Sequence, residues 1–216
     1  MDSAKNLARQ MLSALDLQDE GMLVAYLRGF ANFPVNLYFL AYDFIHTDDR
    51  RQNMDDNMRI ANLLERATSK KHINLVARAV NVFIEDFMKH VNMADLAKKV
   101  AEDTIASTLG SYTFGELTGI KIGKLISSRI TVSIAFSMSI STLLMIGGGA
   151  SRAIHVSRFL KTSNYGVYRK LRDLGDLDLL YFAIRDRVKP FEEATKLSSS
   201  DPALFNQAVE YFFKGL

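Results

Sequence analysis

The chain has 216 residues, 48% of them apolar and 24% charged, with three prolines, twelve glycines and no cysteine. That length can bury a proper core, and the composition excludes wholesale disorder, a disulfide framework and thiolate chemistry. The formal net charge of +3 is concentrated: between Gly115 and Lys161, Glu116 stands against Lys121, Lys124, Arg129, Arg152, Arg158 and Lys161, while the flanking stretches carry no net positive charge.

The first residues, MDSAKNLARQMLSALDL, interleave charges with apolar side chains and lack the apolar core of a secretory signal. The expected location is the cytoplasm, or outside the cell by a route that needs no cleaved signal. Ala4, Leu7, Ala8, Met11 and Leu15 recur at helical spacing and predict the first helix. Pro34 suits the first turn of a helix carrying Leu37, Leu40, Ala41 and Phe44. The run HTDDRRQNMDDN, His46 to Asn57, reads as a connection plus a solvated helix start, with Asp48 and Asp49 as cap residues. Asp48, Asp49, Asp55 and Asp56 alternate with Arg50 and Arg51, which predicts a self-neutralised surface; the oxygen-ligand spacing of a calcium loop is absent.

Ile73, Val76, Ala77, Val80, Phe83, Ile84 and Phe87 mark the cleanest amphipathic helix of the front half. Leu96, Val100, Ile105 and Leu109 suggest a less regular one. Late in the chain, Leu174, Leu177, Tyr181, Ile184, Val188 and Phe191 step by three and four, predicting one continuous helix stripe. Ser200, Asp201 and Pro202 announce a last helix, with Phe205, Ala208 and Phe212 along one side. The expectation is a single all-α domain over residues 1–216, a bundle of roughly eight to ten helices around a central hydrophobic segment, residues 113–149.

That central segment carries two competing patterns. ITVSIAFSMSIS, Ile130 to Ser141, alternates large apolar and small residues as a strand would. No second strand is evident for it to join, so a strand here would have to pair with another chain. Read as a helix, Gly115, Gly119, Gly123, Ser127, Thr131, Ala135 and Ser139 recur every four residues, the small-residue spacing that lets helices pack closely. Four does not match 3.6, so the stripe drifts; Gly115, Gly119 and Gly123 together can meet one partner helix, and Ser127 is expected to pack with them. No charged side chain lies between Arg129 and Arg152, a length sufficient for a bilayer span of about 20 residues. Its serines and threonines and the triplet Gly147 to Gly149 shorten the truly apolar part.

A buried hydrophobic segment shielded by amphipathic helices resembles, in architecture alone, the pore-forming domains of colicins. That resemblance implies an all-helical, membrane-active toxin. The chain departs from it after GGG, where ASRAIHVSRFLKTSNYGVYRK is basic and amphipathic, so a second apolar arm is missing.

Sites of reaction chemistry are not evident. His46, His72, His90 and His155 are scattered, and neither a phosphate loop, a nucleophile elbow nor a zinc-protease helix occurs. Gly147 to Gly149 before Ser151 and Arg152 is a weak anion-binding pattern. Tyr165, Tyr168, Arg169, Lys170 and Arg172 mix aromatic and basic residues, but Asp173, Asp176 and Asp178 follow and blunt the field, so nucleic acid is not an expected partner.

No catalytic residue, metal or cofactor is therefore assigned. The expectation is a non-enzymatic protein acting by association: a membrane-active effector or toxin, or alternatively a soluble partner-binding protein of immunity, adaptor or chaperone type. On the alternative reading Ile130 to Ile146 is simply core; the residues expected to make membrane or partner contact are Lys121, Lys124, Arg129, Ile130, Ile134, Met138, Arg152 and Arg158. They would meet an anionic membrane, a protein partner or a second copy of the chain.

Overall fold

The structure is a computed structural model, and it describes residues 2–15, 50–68, 72–102, 119–135 and 149–216. Among these residues there are nine α-helices, one short 3₁₀ helix and no strand, which is the expected all-α bundle. The helices are α1 (Asp2–Ser13), α2 (Arg50–Thr68), α3 (His72–Met88), α4 (Met93–Glu102), α5 (Gly119–Ala135), α6 (Gly149–Ser163), α7 (Tyr165–Asp173), α8 (Tyr181–Ser200) and α9 (Pro202–Gly215). The 3₁₀ helix, Leu177–Leu180, joins α7 to α8. Helices expected on Leu37 to Phe44 and through Ile105 and Leu109, and caps at Asp48 and Asp49, fall outside the described residues.

The chain divides into two compact units, each made of separated stretches, and the division falls inside α3, α5 and α8. Unit 1 comprises Met1–Leu17, Phe83–Ile130 and Asp186–Leu216. Its core is aromatic. Phe87 stands edge-on to Phe191 at 5.4 Å, Phe205 at 6.2 Å and Phe212 at 6.4 Å, and Phe212 stands edge-on to Phe191 at 5.6 Å and Phe213 at 5.1 Å. Such edge-to-face pairs add about 0.5–1.5 kcal/mol each to the effect of burial. The stripe Ala4, Leu7, Ala8, Met11 and Leu15 is buried as expected, and α1 packs along α9, where Leu12 lies against Gly215 and Lys5 Nζ sits 5.4 Å above the Tyr211 ring.

Caps set the boundaries of unit 1. Asp201 accepts a hydrogen bond from the Leu204 amide at 3.0 Å, with Pro202 in the first turn of α9, as the sequence announces. Asn92 and Asp95 close the start of α4 reciprocally: the Asp95 amide donates to Asn92 Oδ1, and Asn92 Nδ2 donates to Asp95 Oδ2. Arg187, 7% exposed, donates to the carbonyls of Ser13 (3.0 Å) and Ala14 (3.3 Å), supplying the end of α1 with the donors it lacks. Pro190 lies inside α8 and removes the amide that would have reached the carbonyl of Asp186, yet the helix continues to Ser200.

Unit 2 comprises Gln18–Val82 and Thr131–Arg185. In it, α6, α7 and the 3₁₀ helix pack on one another, and Asn164 caps α7 by accepting from the Val167 amide at 3.2 Å. One expectation needs correction here. The stripe from Leu174 to Phe191 is not one helix: α7 ends at Asp173, and Gly175 (φ +96°) and Asp176 (φ +61°) turn the backbone into the left-handed region. Leu177, Tyr181, Ile184 and Val188 are nevertheless all buried, because the short 3₁₀ helix keeps a spacing near three before α8 resumes.

Candidate functional site

Two places hold residues that could bind or respond to something outside the chain. The first is α5, which carries much of the central segment. Ile130 to Ala135, the first half of the stretch that alternates like a strand, is helical; residues 136–141, Met138 among them, lie outside the described residues, as do Gly115, Gly147 and Gly148.

Within unit 1, α5 has two faces. Ile122, Ile126 and Ile130 are fully buried, with Gly123 and Ser127 beside them. Ile120, 73% exposed, points outward with Lys121, Lys124 and Ser128. The glycines meet side chains: a Cβ on Gly119 would lie 3.1 Å from Met93 Cγ and 3.8 Å from Met88 Cε. One on Gly123 would lie 3.4 Å from Met88 Cγ and 3.9 Å from Ile84 Cγ2. Unbranched methionines thus fill the groove that the missing Cβ atoms leave.

The other expected contact residues are distributed differently. Arg129 and Arg152 are half-buried, and Ile134 is buried in unit 2. Arg158 is turned into unit 2, where its Nη2 lies 2.8 Å from Asp56 Oδ2. Ile130 and Ile134 therefore belong to the interiors of their units, and in unit 1 the outward face of α5 consists of Ile120, Lys121, Lys124 and Ser128.

The second place is a buried knot of charges in unit 2, where sequence reasoning expected solvent. Asp56 is 3% exposed, which overturns its reading as part of a solvated acidic run; neighbouring Asp55 is exposed as expected. Arg59, 6% exposed and one turn further along α2, donates from Nη1 to Asp56 Oδ1 at 2.8 Å, from Nε to Asp176 Oδ1 at 2.7 Å and from Nη2 to Asp178 Oδ2. Asp178, fully buried, also accepts from the hydroxyl of Ser157, and its Oδ1 finds no hydrogen-bond partner among the described residues. Two further arginines hold the carbonyls of the same turn: Arg66 Nη2 donates to Gly175 O, and Arg78 Nη2 donates to Leu174 O at 3.2 Å. At the rim, Arg172 bonds Asp55 at 3.1 Å and the Tyr168 hydroxyl at 3.1 Å.

Burial works against the charge on Arg59, but the hydrogen bond and negative charge of Asp178, with the bonds from Asp176 and Asp56, outweigh it. The guanidinium is held charged even more firmly than an ordinary arginine. Both oxygens of Asp56 face guanidinium groups, and Ser157, 2% exposed, donates its proton inward. This arrangement fastens helices. Among the described residues, no group of three or more His, Asp or Glu side chains is placed to hold a metal ion. No described helix is long and apolar enough to cross a membrane.

The knot was hidden in the sequence because its members are distant in the chain. Asp56 and Arg59 look like an ordinary exposed i,i+3 pair. The usable signal was the left-handed turn, GD at Gly175 and Asp176, set inside an otherwise unbroken apolar stripe. Compared with known proteins, the chain matches no family model, no curated protein and no solved structure.

Proposed function

We propose that this protein acts by association and not by catalysis, and that the outward face of α5 is its docking element, presented to an anionic membrane surface. One observation carries the reading: Ile120, 73% exposed, stands beside outward-facing Lys121 and Lys124 on a helix whose opposite face is fully buried. An apolar tip with lysines that reach toward phosphates is the chemistry of interfacial binding, worth about 1 kcal/mol per lysine near an anionic surface. The protein is expected to work as a membrane-active effector that encounters the membrane from the cytoplasmic side or after export.

Flotation of the purified protein with vesicles containing phosphatidylglycerol, against pure phosphatidylcholine vesicles, tests this at neutral and mildly acidic pH. The protein should float with the anionic vesicles at low salt, and Lys121→Glu/Lys124→Glu should weaken that binding roughly tenfold or more. No flotation at either pH would sink the membrane reading.

Burial of Ile130 and Ile134 favours a second reading, in which the central segment is core and the exposed face of α5 meets a protein. A second copy of the chain is the first partner to test. Sedimentation equilibrium would then show self-association that Ile120→Glu abolishes, with no vesicle binding.

A further inference from the structure

We infer that the α6–α7 surface of unit 2 binds single-stranded nucleic acid, its basic side chains meeting phosphates and the exposed rings of Phe159 and Tyr165 stacking on bases. This surface belongs to unit 2 and shares no residue with the face of α5 in unit 1.

Read along the chain, the aromatic and basic run from Tyr165 to Arg172 is blunted by the three aspartates that follow it. From Gly149 to Arg185, seven lysines and arginines stand against those three aspartates. The fold turns two of the three away from the surface. Asp178 is fully buried and accepts from Arg59 and Ser157, and Asp176 accepts from Arg59 Nε at 2.7 Å. Asp173 is the one of the three that is exposed, 3.3 Å from Arg169. The negative charge is thus engaged largely by α2, on the inner side. On the outer side Lys161 and Arg169 are exposed, with Arg172 and Arg185 half-buried. A positive surface of this kind attracts polyanions.

The rings select among polyanions. Phe159 is 52% exposed and Tyr165 56% exposed. The Arg185 guanidinium lies 5.4 Å from the Phe159 centroid, and Arg169 stands one turn after Tyr165 on α7. Tyr165 is backed by the buried Tyr168, whose ring lies 6.1 Å away and is tilted by 35°. Exposed rings flanked by guanidiniums give a base a π-face to stack on, whatever its identity. A duplex keeps its bases stacked on one another, so the single strand is the form that fits. Among the described residues of α6 and α7, these two rings are the exposed large apolar side chains. The surface therefore lacks the continuous apolar face by which an amphipathic helix enters a membrane.

Fluorescence polarisation of the full chain with labelled oligo(dT) and oligo(U) of about 12 nucleotides tests this, with inorganic polyphosphate as a competitor that has no bases. Binding at low salt is expected for at least one of the two, and the pair tells DNA from RNA. The logarithm of the binding constant should fall linearly with that of the salt concentration, with a slope of about −2 to −3 for three or four phosphate contacts. Lys161→Glu/Arg169→Glu should weaken binding at least roughly tenfold and flatten that slope. Tyr165→Ala should weaken it roughly fivefold or more with the slope kept, and Tyr165→Phe should retain it. Ile120→Glu on α5 should leave it unchanged, so failure of docking at α5 and failure of this surface are told apart. These side chains are exposed, and unchanged helical circular dichroism identifies a folded variant. Absence of binding to both oligonucleotides at low salt would overturn the inference. So would a Tyr165→Ala variant that binds like the unaltered protein, or polyphosphate that competes as well per phosphate as the oligonucleotides do.

Discussion

Gly175 meets two demands at one Cα. Its φ of +96° lies where side chains with a Cβ are rarely found, and a Cβ there would run into the guanidinium of Arg66. Gly175→Ala should cost unit 2 about 1–3 kcal/mol, seen as a lower urea midpoint with an unchanged slope. Arg59 makes an opposite point about pH. Its proton affinity is raised in the folded state, so the stability it contributes is complete below the ordinary arginine range and disappears only at still higher pH. Mild alkali should leave the knot fastened. Arg59→Lys substitutes a group with an ordinary value of about 10.4 and a single cationic centre for three directed bonds, so the thermal midpoint should begin to fall at a lower alkaline pH than in the unaltered protein. These residues were poorly legible in the sequence. Asp56 and Arg59 could be placed on a helix, but their depth depends on Asp176, Asp178 and Arg158, more than ninety positions away.

For single helices, much more could be read in advance. The stripes of α1, α3 and α9 and the Asp201–Pro202 start of α9 came from apolar spacing and cap chemistry, both of which are local. Asp201→Ala should cost about 1 kcal/mol by removing the acceptor for the Leu204 amide. The break at Gly175 and Asp176 escaped because apolar spacing continues across it; the dihedral angles, and not the hydrophobic pattern, end α7. In α5 the spacing of small residues was plain, whereas what fills it was not. Since a Cβ on Gly123 would make ordinary contact with Met88, Gly123→Ala should be neutral or stabilise by up to about 1 kcal/mol through helix propensity. Gly123→Leu should destabilise by about 1–3 kcal/mol. Thermal unfolding of the two variants distinguishes a groove filled by flexible side chains from a backbone contact that tolerates no Cβ.

At the scale of the whole molecule, two kinds of cohesion coexist in one chain. Unit 1 is held by packed rings, and unit 2 adds ion pairs taken out of water. Raising the ionic strength should weaken the exposed Arg169–Asp173 pair while leaving exchange protection around Arg59 nearly unchanged, because ions do not screen what they cannot approach. The all-α class was legible from helical periodicity nearly everywhere and from sparse proline. The partition into two units was not, because each unit gathers stretches from distant parts of the chain, and local periodicity carries no information about such pairing. The dense acidic run near Asp55 was read as surface for the same reason: its counter-charges arrive from Arg158 and Arg172.

The Arg59–Asp178 pairing also has a consequence for synthesis. Arg59 leaves the ribosome well before Asp176 and Asp178 exist, and at about 5–20 residues per second that interval is on the order of ten seconds. Throughout it, α2 carries a guanidinium whose folded surroundings are buried and of whose three carboxylate partners only Asp56 has been made. A nascent chain stalled near residue 170 should therefore leave α2 open to protease, and the full-length chain released from the ribosome should protect it.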